Sequence, residues 1–389
     1  MKSKVIKKIV ALITEPFGSK VALLFMQISV VLSLFFLSLA YAVEPVAPEP
    51  LPGLTDAQFV NFQAGQALFE KKWKINEGLG PLFNANSCVA CHRLPVVGGA
   101  GPRYRANFLF GFMQNGNFDP REEHGRLLFQ KNRISNVSPE QIPDEANAFS
   151  LRKVPSLLGI GLILAIPDMQ LLANHAPKDS DEDGISGRAP RINGHIQRFG
   201  SQNHVATLRQ FASDALEAEI DLIQDEVGSD VVTKIRDFIL YLAPSPQKPF
   251  TPEAIQGEQL FLEIGCADCH TQSFTTSTEP FTTAEGETID VTVLQGITIQ
   301  PYSDFLLHNM GPELNDRVIR GSKAGAREYR TIPLWGSSQQ PNNKLHDGRA
   351  NNIHQAVLFH GGEAARARKE FLALPVKEQN WILDFIESL

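Results

Sequence analysis

Two pentapeptides, CVACH at residues 88–92 and CADCH at residues 266–270, decide how this sequence folds. Both have the spacing C-x-x-C-H, and together they use all four cysteines of the chain. Two thiols about one helical turn apart reach the two vinyl groups of one porphyrin, and the histidine that follows lies under its iron. The spacing therefore predicts two covalently bound haem c groups. Their attachment and proximal residues are Cys88, Cys91 and His92 for haem 1, and Cys266, Cys269 and His270 for haem 2.

Other uses of the four cysteines explain the pattern less well. A redox-active C-x-x-C pair and a single zinc site shared by both pairs are the alternatives. Neither of them accounts for a histidine directly after each pair. Disulfides are open to an exported protein, but the spacing argues against them as well.

The chain also repeats itself around the two motifs. GQALF (65–69) precedes the first motif and GEQLF (257–261) precedes the second, and each half closes on a similar helical segment, DFILYL or DFIESL. The proline-rich stretch 243–254 between the halves cannot continue a helix. The sequence therefore predicts a mainly α fold with irregular insertions and little β. We expect two cytochrome c-like domains, residues 50–245 and 246–389, with one haem each.

The N-terminal residues 1–42 have the layout of a signal peptide. Lysines precede an apolar run, Val21–Ala40, and the run ends in the small-x-small pattern AYA. We therefore expect export to the periplasm, with a retained membrane anchor as the alternative because the run is long. Residues 1–42 hold five Lys and one Glu, so the rest of the chain is more acidic than the formal net charge of −7. Nucleic acid is not an expected partner, and membrane attachment is expected only through an uncleaved signal segment.

The stretch KLHDGRANNIHQAVLFHGG, residues 344–362, contains three histidines. Asn351 and Asn352 can cap a helix that begins at the next residue, and a Gly-Gly pair can end it. At 100° per residue, one face of this helix carries Ile353, Ala356, Val357 and His360. The inward position of His360 makes it a candidate sixth ligand for a haem iron. Met310 is the alternative ligand.

An acidic loop, DSDEDGIS at residues 179–186, matches the first half of an EF-hand-like calcium loop. Asp179, Asp181 and Asp183 supply carboxylates at alternate positions, and Gly184 allows the turn. The usual acid at the twelfth position is absent, because Pro190 stands there. We expect a structural Ca²⁺ site, and the alternative is an acidic surface turn.

Six stretches in order along the chain resemble a known family of di-haem oxidoreductases, described as peroxidase-like or thiol oxidoreductase-like. They are GLGPLFNANSCVACH (78–92), RKVPSLLGIGLILAIPD (152–168), DSDEDGISGR (179–188), LLHNMGPEL (306–314), YRTIPLWGS (329–337) and HDGRANNIHQAVLFHGGEA (346–364). This family is similar to the bacterial di-haem cytochrome c peroxidases. In the peroxidases, a turn followed by a helix carries a methionine ligand of the second haem. Alignment with that turn puts His360 at the methionine position.

The resemblance also implies roles for residues near each haem. Two imidazoles leave a haem at a lower potential than a Met/His pair, so haem 2 is expected to be a stronger reductant than in the peroxidases. The family's catalytic helix resembles residues 206–220, with Glu219 as the proton-transferring base and Gln210 as its helper. No histidine occurs between His92 and His124. Haem 1 is therefore expected to keep an open site, and the alternative is a cap from a distant histidine: His124, His175, His195 or His204.

These expectations combine into one function. The chain is predicted to be an exported di-haem c-type oxidoreductase that reduces a peroxide such as H₂O₂ at haem 1. Electrons would come from a small redox protein, a cytochrome or a cupredoxin, and would pass through haem 2. Two alternatives stay open: a non-catalytic electron-transfer cytochrome, and an enzyme that uses high-valent haem to oxidise a protein or a thiol.

Overall fold

Two pairs of closely packed helices, one in each half of the chain, form the frame of the structure. The structure is a computed structural model that describes residues 48–120, 127–180, 182–222, 224–320 and 324–389. The predicted signal segment, residues 1–42, lies outside the described residues. In chain order the helices are α1 (Asp56–Glu70), α2 (Ile160–Leu164), α3 (Asp168–Leu171), α4 (Leu208–Ala215), α5 (Gln224–Val227), α6 (Ser229–Tyr241), α7 (Pro252–Glu263), α8 (Ile353–Leu358), α9 (Ala365–Ala373) and α10 (Val376–Ser388).

The two helix pairs are α1 with α6 and α7 with α10. Helix α1 begins with a capping box, in which the Thr55 hydroxyl accepts from the Gln58 N–H at 3.3 Å and the Gln58 side chain accepts from the Thr55 N–H at 2.9 Å. Helix α7 begins in the same way at Thr251, whose hydroxyl accepts from the Ala254 N–H at 3.1 Å. Both helices therefore start at residues that the sequence specifies locally.

The repeated GQALF and GEQLF segments explain how close the helices lie. Gly65 of α1 packs on α6 so closely that a Cβ would overlap the carbonyl oxygen of Lys234. Gly257 of α7 packs in the same way on the carbonyl oxygen of Trp381 in α10. The phenylalanines that end both segments, Phe69 and Phe261, are buried in the cores of the two helix pairs. The sequence repeat is therefore a packing repeat.

Strands make up more of the structure than the sequence led us to expect. Helix accounts for 34% and strand for 15%, so the prediction of a mainly α chain with little β is only partly met. The longest ladder is a three-stranded antiparallel sheet in the order β3-β2-β5. The strands are β1 (Leu82–Phe83), β2 (Asn107–Gln114), β3 (Asn117–Asp119), β4 (Asn132–Arg133), β5 (Ala148–Arg152), β6 (Arg191–Ile192), β7 (His195–Ile196), β8 (Phe274–Thr275), β9 (Phe281–Thr282), β10 (Thr288–Ile289), β11 (Thr298–Ile299), β12 (Leu307–Asn309) and β13 (Glu328–Arg330).

The remaining strands form antiparallel pairs: β1 with β4, β6 with β7, β8 with β11, β9 with β10, and β12 with β13. Most of these strands are two or three residues long, which is too short for the alternating pattern that reveals a strand in a sequence. They close the long connections between helices. The insertions that the sequence marked as irregular are therefore tied together by short β pairs.

The two halves of the chain share a core. Phe274, Leu294 and Phe305 follow the proline-rich stretch, yet they belong to the hydrophobic cluster that is centred on α1 and α6. A second cluster surrounds α7 and α10. Backbone hydrogen bonds also cross between the halves, from Lys153 N–H to His346 O at 2.8 Å and from Ser277 N–H to Ala165 O at 2.8 Å. The boundary between residues 245 and 246 separates the helix pairs but not the cores, and the division into two domains stays a prediction.

Within the described ranges, the helices are too short or too polar to cross a membrane.

We expect that the substitutions Gly65→Ala and Gly257→Ala each lower the free energy of unfolding by about 1–3 kcal/mol, because the added methyl group forces two closely packed helices apart. Urea unfolding followed by far-UV circular dichroism measures the change. Gln63→Ala and Gln256→Ala are matched controls on exposed positions of the same helices. Equal stability of the glycine variants and their controls would show that the helix contacts tolerate a side chain.

Candidate functional site

The first motif forms a tight turn that fixes its histidine. Residues Cys88–Ala90 form a 3₁₀ turn, and the His92 N–H donates to the Cys88 carbonyl at 2.9 Å. Nδ1 of the His92 ring lies 3.2 Å from the carbonyl oxygen of Gly99. A carbonyl can only accept, so Nδ1 carries the proton and Nε2 keeps a free lone pair. Burial lowers the pKa of His92 to about 4, which keeps the ring neutral.

The second motif has the same geometry. Residues Cys266–Asp268 form a 3₁₀ turn, and the His270 N–H donates to the Cys266 carbonyl at 3.0 Å. Nδ1 of His270 lies 2.7 Å from the carbonyl oxygen of Tyr302, which again leaves Nε2 free. Burial lowers the pKa of His270 to about 4. The rings of Phe69 and Phe261, from the repeated segments, lie 6.1 and 6.0 Å from the two motif histidines.

The cysteines have the properties of attachment residues. All four are free thiols. Burial raises the pKa of Cys88 and of Cys266 to about 12, whereas a redox-active dithiol needs a lowered pKa. Within the described ranges, no three Cys, His, Asp or Glu side chains come together as a metal site. A thiol pair beside a neutral imidazole with a free Nε2 is the donor set that suits haem c.

A single cavity of about 430 Å³ reaches both motifs. Its lining includes Cys88, Cys91 and His92 of the first motif and Cys266, Cys269 and His270 of the second, which we call the first site and the second site. The rest of the wall comes from both halves of the chain. The two sites therefore open into the same space.

The face predicted for the helix before His360 lies against the cavity. Asn352 caps α8 by accepting from the Gln355 N–H at 2.8 Å. The cavity is lined by all four residues of the predicted face: Ile353, Ala356, Val357 and His360. Nδ1 of His360 lies 2.8 Å from the carbonyl oxygen of Ala356, so its Nε2 is also free. His360 is close enough to His270 to contribute to the lowered pKa of that ring.

Met310, the alternative ligand, also lines the cavity. The neighbouring His308 is not available as an iron ligand, because both of its ring nitrogens form hydrogen bonds. One lies 2.8 Å from an Asp304 carboxylate oxygen, and the other lies 2.8 Å from a Glu363 oxygen. Burial alone would lower the pKa of His308, but the bonds to Asp304, Cys269 and Glu363 raise it to about 12. No motif in the sequence predicts this hydrogen-bond network, because Asp304 is 4 residues and Glu363 is 55 residues from His308.

A carboxylate faces the cavity at the end of α4. This helix continues into a π turn, Leu216–Ile220, which contains Glu219. Asn107 donates to Oε1 of Glu219 at 2.6 Å, while Oε2 has no hydrogen-bond partner among the described residues. Burial raises the pKa of Glu219, although Arg320 and the amides of Asn84 and Asn107 oppose the shift. The side chain also lines the cavity.

Gln210, the predicted helper of Glu219, lies elsewhere. Its side chain is exposed and lies outside the cavity lining. Leu208 in the same turn of α4 is buried, and Gln210 stands about 200° around the helix from it. Asp214, one turn further along, does line the cavity, as does Arg320. The structure therefore brings Glu219 together with Arg320 rather than with Gln210.

The histidines considered as distant caps for haem 1 occupy different positions. His124 lies outside the described residues. Nδ1 of His175 accepts from the Ala189 N–H at 3.1 Å, and His195 is exposed. His204 lines the cavity, and its buried Nδ1 lacks a hydrogen-bond partner in the part of the chain that is described. Burial, aided by nearby arginines, lowers the pKa of His204 to about 3.

The acidic loop is closed by its own backbone. Oδ1 of Asp179 accepts from the Gly184 N–H at 3.1 Å, and Oδ1 of Asp183 accepts from the Ile185 N–H at 2.7 Å. Asp181 lies outside the described residues. Calcium binding at this loop stays a prediction.

Part of the chain matches a known protein family. Residues 212–389 match the family described as "Di-haem oxidoreductase, putative peroxidase". The match includes Glu219, the second site and His360 but not the first site. No curated protein matches the chain.

Two solved structures are weakly similar to this one. The first is Kuenenia stuttgartiensis hydrazine synthase pressurised with 20 bar xenon, with 13% identity, a TM-score of 0.42, and coverage of 90% of this chain and 96% of that chain. The second is a MauG-like protein associated with microbial copper homeostasis, with 14% identity, a TM-score of 0.42, and coverage of 90% and 94%. Similarity at this level carries no conclusion for this chain. The family match agrees with the resemblance seen in the sequence over residues 212–389, which is less than half of the chain.

Proposed function

We propose that this protein is an exported di-haem c-type oxidoreductase that reduces a peroxide at the first site, with electrons that enter at the second site. The observation that carries this proposal is the cavity common to both sites, which is lined by the Glu219 side chain. Oε2 of this carboxylate has no hydrogen-bond partner among the described residues. The family match supports the di-haem assignment. The lysine-rich start and apolar run of residues 1–42 support export, and a small cytochrome or cupredoxin is the proposed electron donor.

The residues that would hold each haem follow from the donor sets. Cys88, Cys91 and His92 would hold one group, and Cys266, Cys269 and His270 would hold the other. When bound, the haems would supply one-electron redox chemistry and a Lewis-acidic iron. Backbone carbonyls at Nδ1 of both proximal rings fix the ring orientation and raise the basicity of Nε2.

Glu219 is suited to move a proton between the two oxygens of a peroxide. Asn107 holds Oε1, and the side chain lines the cavity. The raised pKa brings the carboxyl closer to the working pH, so that it can take a proton from one oxygen and return it to the other. Arg320 contributes a positive charge beside this carboxylate. The same charge would stabilise the negative charge on the deprotonated peroxide until Glu219 returns the proton to the other oxygen, which then leaves as water.

His360 is the proposed sixth ligand at the second site. Ala356 fixes its Nδ1, and its Nε2 is free in the same cavity as His270. Two imidazole ligands would leave this haem at a lower potential than a Met/His pair. The second site would therefore be a strong electron donor to the first.

One observation favours a second candidate function. The ring of His204 is neutral and lines the cavity, and its Nδ1 is buried without a partner among the described residues. If His204 binds the iron at the first site, both sites are saturated and the protein is a non-catalytic electron-transfer cytochrome.

We expect Glu219→Gln to lower the rate of peroxide turnover by about 10²- to 10⁴-fold, because the amide cannot accept the proton. Steady-state turnover with H₂O₂ measures the effect, and unchanged optical spectra show that the haems are intact. In the wild-type protein, turnover should fall as the pH falls through a Glu219 pKa above 4.5, since the base is the deprotonated form. Glu217→Gln, at an exposed position of the same turn, is the control. Wild-type turnover in the Glu219 variant would remove Glu219 from the mechanism.

We expect His360→Ala to convert one haem from low spin to high spin, because it removes the sixth ligand. We expect His360→Met to keep low spin and to raise the potential of that haem. Electron paramagnetic resonance and a redox titration measure both changes. The control is His354→Ala, in helix α8. The His354 ring lies 5.9 Å from the Phe371 ring and outside the cavity lining. If Met310→Ala gives the high-spin signal instead, methionine is the ligand.

Rapid mixing of the fully reduced protein with H₂O₂ separates the two candidate functions. A peroxidase should show a high-spin or open iron before mixing and should be reoxidised at a rate that increases with peroxide concentration. Two low-spin haems and no turnover would establish the electron-transfer cytochrome. In that case His204→Ala should create the open iron.

A further inference from the structure

Two lysines from opposite halves of the chain line the cavity without a carboxylate partner. They are Lys153, which follows β5, and Lys344, which precedes the turn before α8. Neither side chain forms an ion pair with any residue in the described ranges. The nearby Arg152 differs, because its guanidinium is paired with the buried Asp316.

The surroundings of the two amines are unusual for lysine. Nζ of Lys344 donates to the carbonyl oxygens of Ser337 at 2.6 Å and Gln340 at 3.4 Å, which are neutral acceptors. Lys153 has no side-chain hydrogen bond within the described part of the chain. Burial lowers the pKa of each lysine to about 8, and repulsion from Lys344 adds to the shift at Lys153. Glu387 favours the charged form of Lys344 but is not in contact with it.

Both lysines are half-buried, so their ammonium groups lose part of their hydration. No carboxylate among the described residues pairs with either group to compensate for that loss. The protein backbone nevertheless holds both lysines in place. The Lys153 N–H donates to the His346 carbonyl at 2.8 Å, and the Lys344 N–H donates to the Ala350 carbonyl at 2.7 Å. An anion in the cavity would supply the opposite charge that this pair of lysines lacks.

The position of Lys153 indicates which site the anion belongs to. The carbonyl of the next residue, Val154, accepts from the Gly101 N–H at 3.1 Å, close behind the first motif. The carbonyl of Pro155 interacts with the His92 ring. Lys153 is therefore anchored to the backbone that surrounds the first site.

We propose that Lys153 and Lys344 form a carboxylate-binding site, and that its ligand is the carboxylate-bearing edge of the porphyrin held at the first site. The inference rests on the proposed function, because it requires a haem at that site. Two lysines match the two carboxylates that a porphyrin of this kind carries. A free carboxylate that enters from solution has the same chemistry and is the other source to be tested.

The test uses the haem-loaded protein and the variants Lys153→Met and Lys344→Met. Both variants should lower the reduction potential of one haem and leave the other unchanged, because a nearby cation disfavours the oxidised, more positive iron. Spectroelectrochemical titration measures both potentials. Lys153→Arg should keep the wild-type potential, since it keeps the charge. Lys369→Met, on an exposed face of α9, is the control and should change neither potential.

Addition of succinate to the wild-type protein distinguishes the two sources. No effect on either potential is expected if the porphyrin carboxylates occupy the lysine pair. A saturable shift that disappears in Lys153→Met would overturn the porphyrin assignment, and so would unchanged potentials in both lysine variants. The haem content of the wild-type protein is measured separately. Fewer than two haems per chain would contradict the proposed function itself, whereas two haems with unchanged potentials would contradict the lysine site alone.

Discussion

In each half of the chain, a glycine lets one helix lie against the next, and the phenylalanine four residues later reaches the motif histidine. Gly65 and Gly257 set the spacing of the two helix pairs. The Phe69 ring lies beside His92, and the Phe261 ring lies beside His270. A backbone carbonyl at Nδ1 also holds each of the two histidine rings. The orientation of both imidazoles therefore depends on helix packing. A change at either glycine would move a ring without touching the motif.

The common cavity gives the two halves unequal tasks. The second site meets a histidine from its own half, His360, which lies two residues after the end of the capped helix α8. The first site meets Glu219 and Arg320, which come from two different halves. Shared core packing, with residues after 270 in the cluster around α1 and α6, keeps these groups at fixed positions. Because the core is shared, the two halves hold the walls of the cavity at fixed positions, as the proposed electron transfer and catalysis would require.

The sequence revealed those features that depend on neighbours in the chain. The cap at Asn352 and the face of α8 follow from spacings of a few residues, and the structure contains this cap and has this face on the cavity wall. The amount of strand was underestimated because pairs of two or three residues leave no periodic pattern. Gln210 lies outside the cavity because it stands about 200° around α4 from the buried Leu208. The His308 network and the pair Lys153 and Lys344 depend on residues tens or hundreds of positions apart, which no local pattern specifies.

The π turn that contains Glu219 makes its position a matter of chain length. A π turn holds one residue more than the α turn that it replaces, and each residue of a helix advances the next side chain by about 100°. Removal of a single alanine before Glu219 would leave every acid and amide in the chain and would still rotate this carboxylate out of the cavity. The position of the proposed proton-transferring group, Glu219, therefore depends on the number of residues before it as well as on its own identity. A single inserted or deleted residue in this turn would remove Glu219 from the cavity and leave the other side chains of the site unchanged.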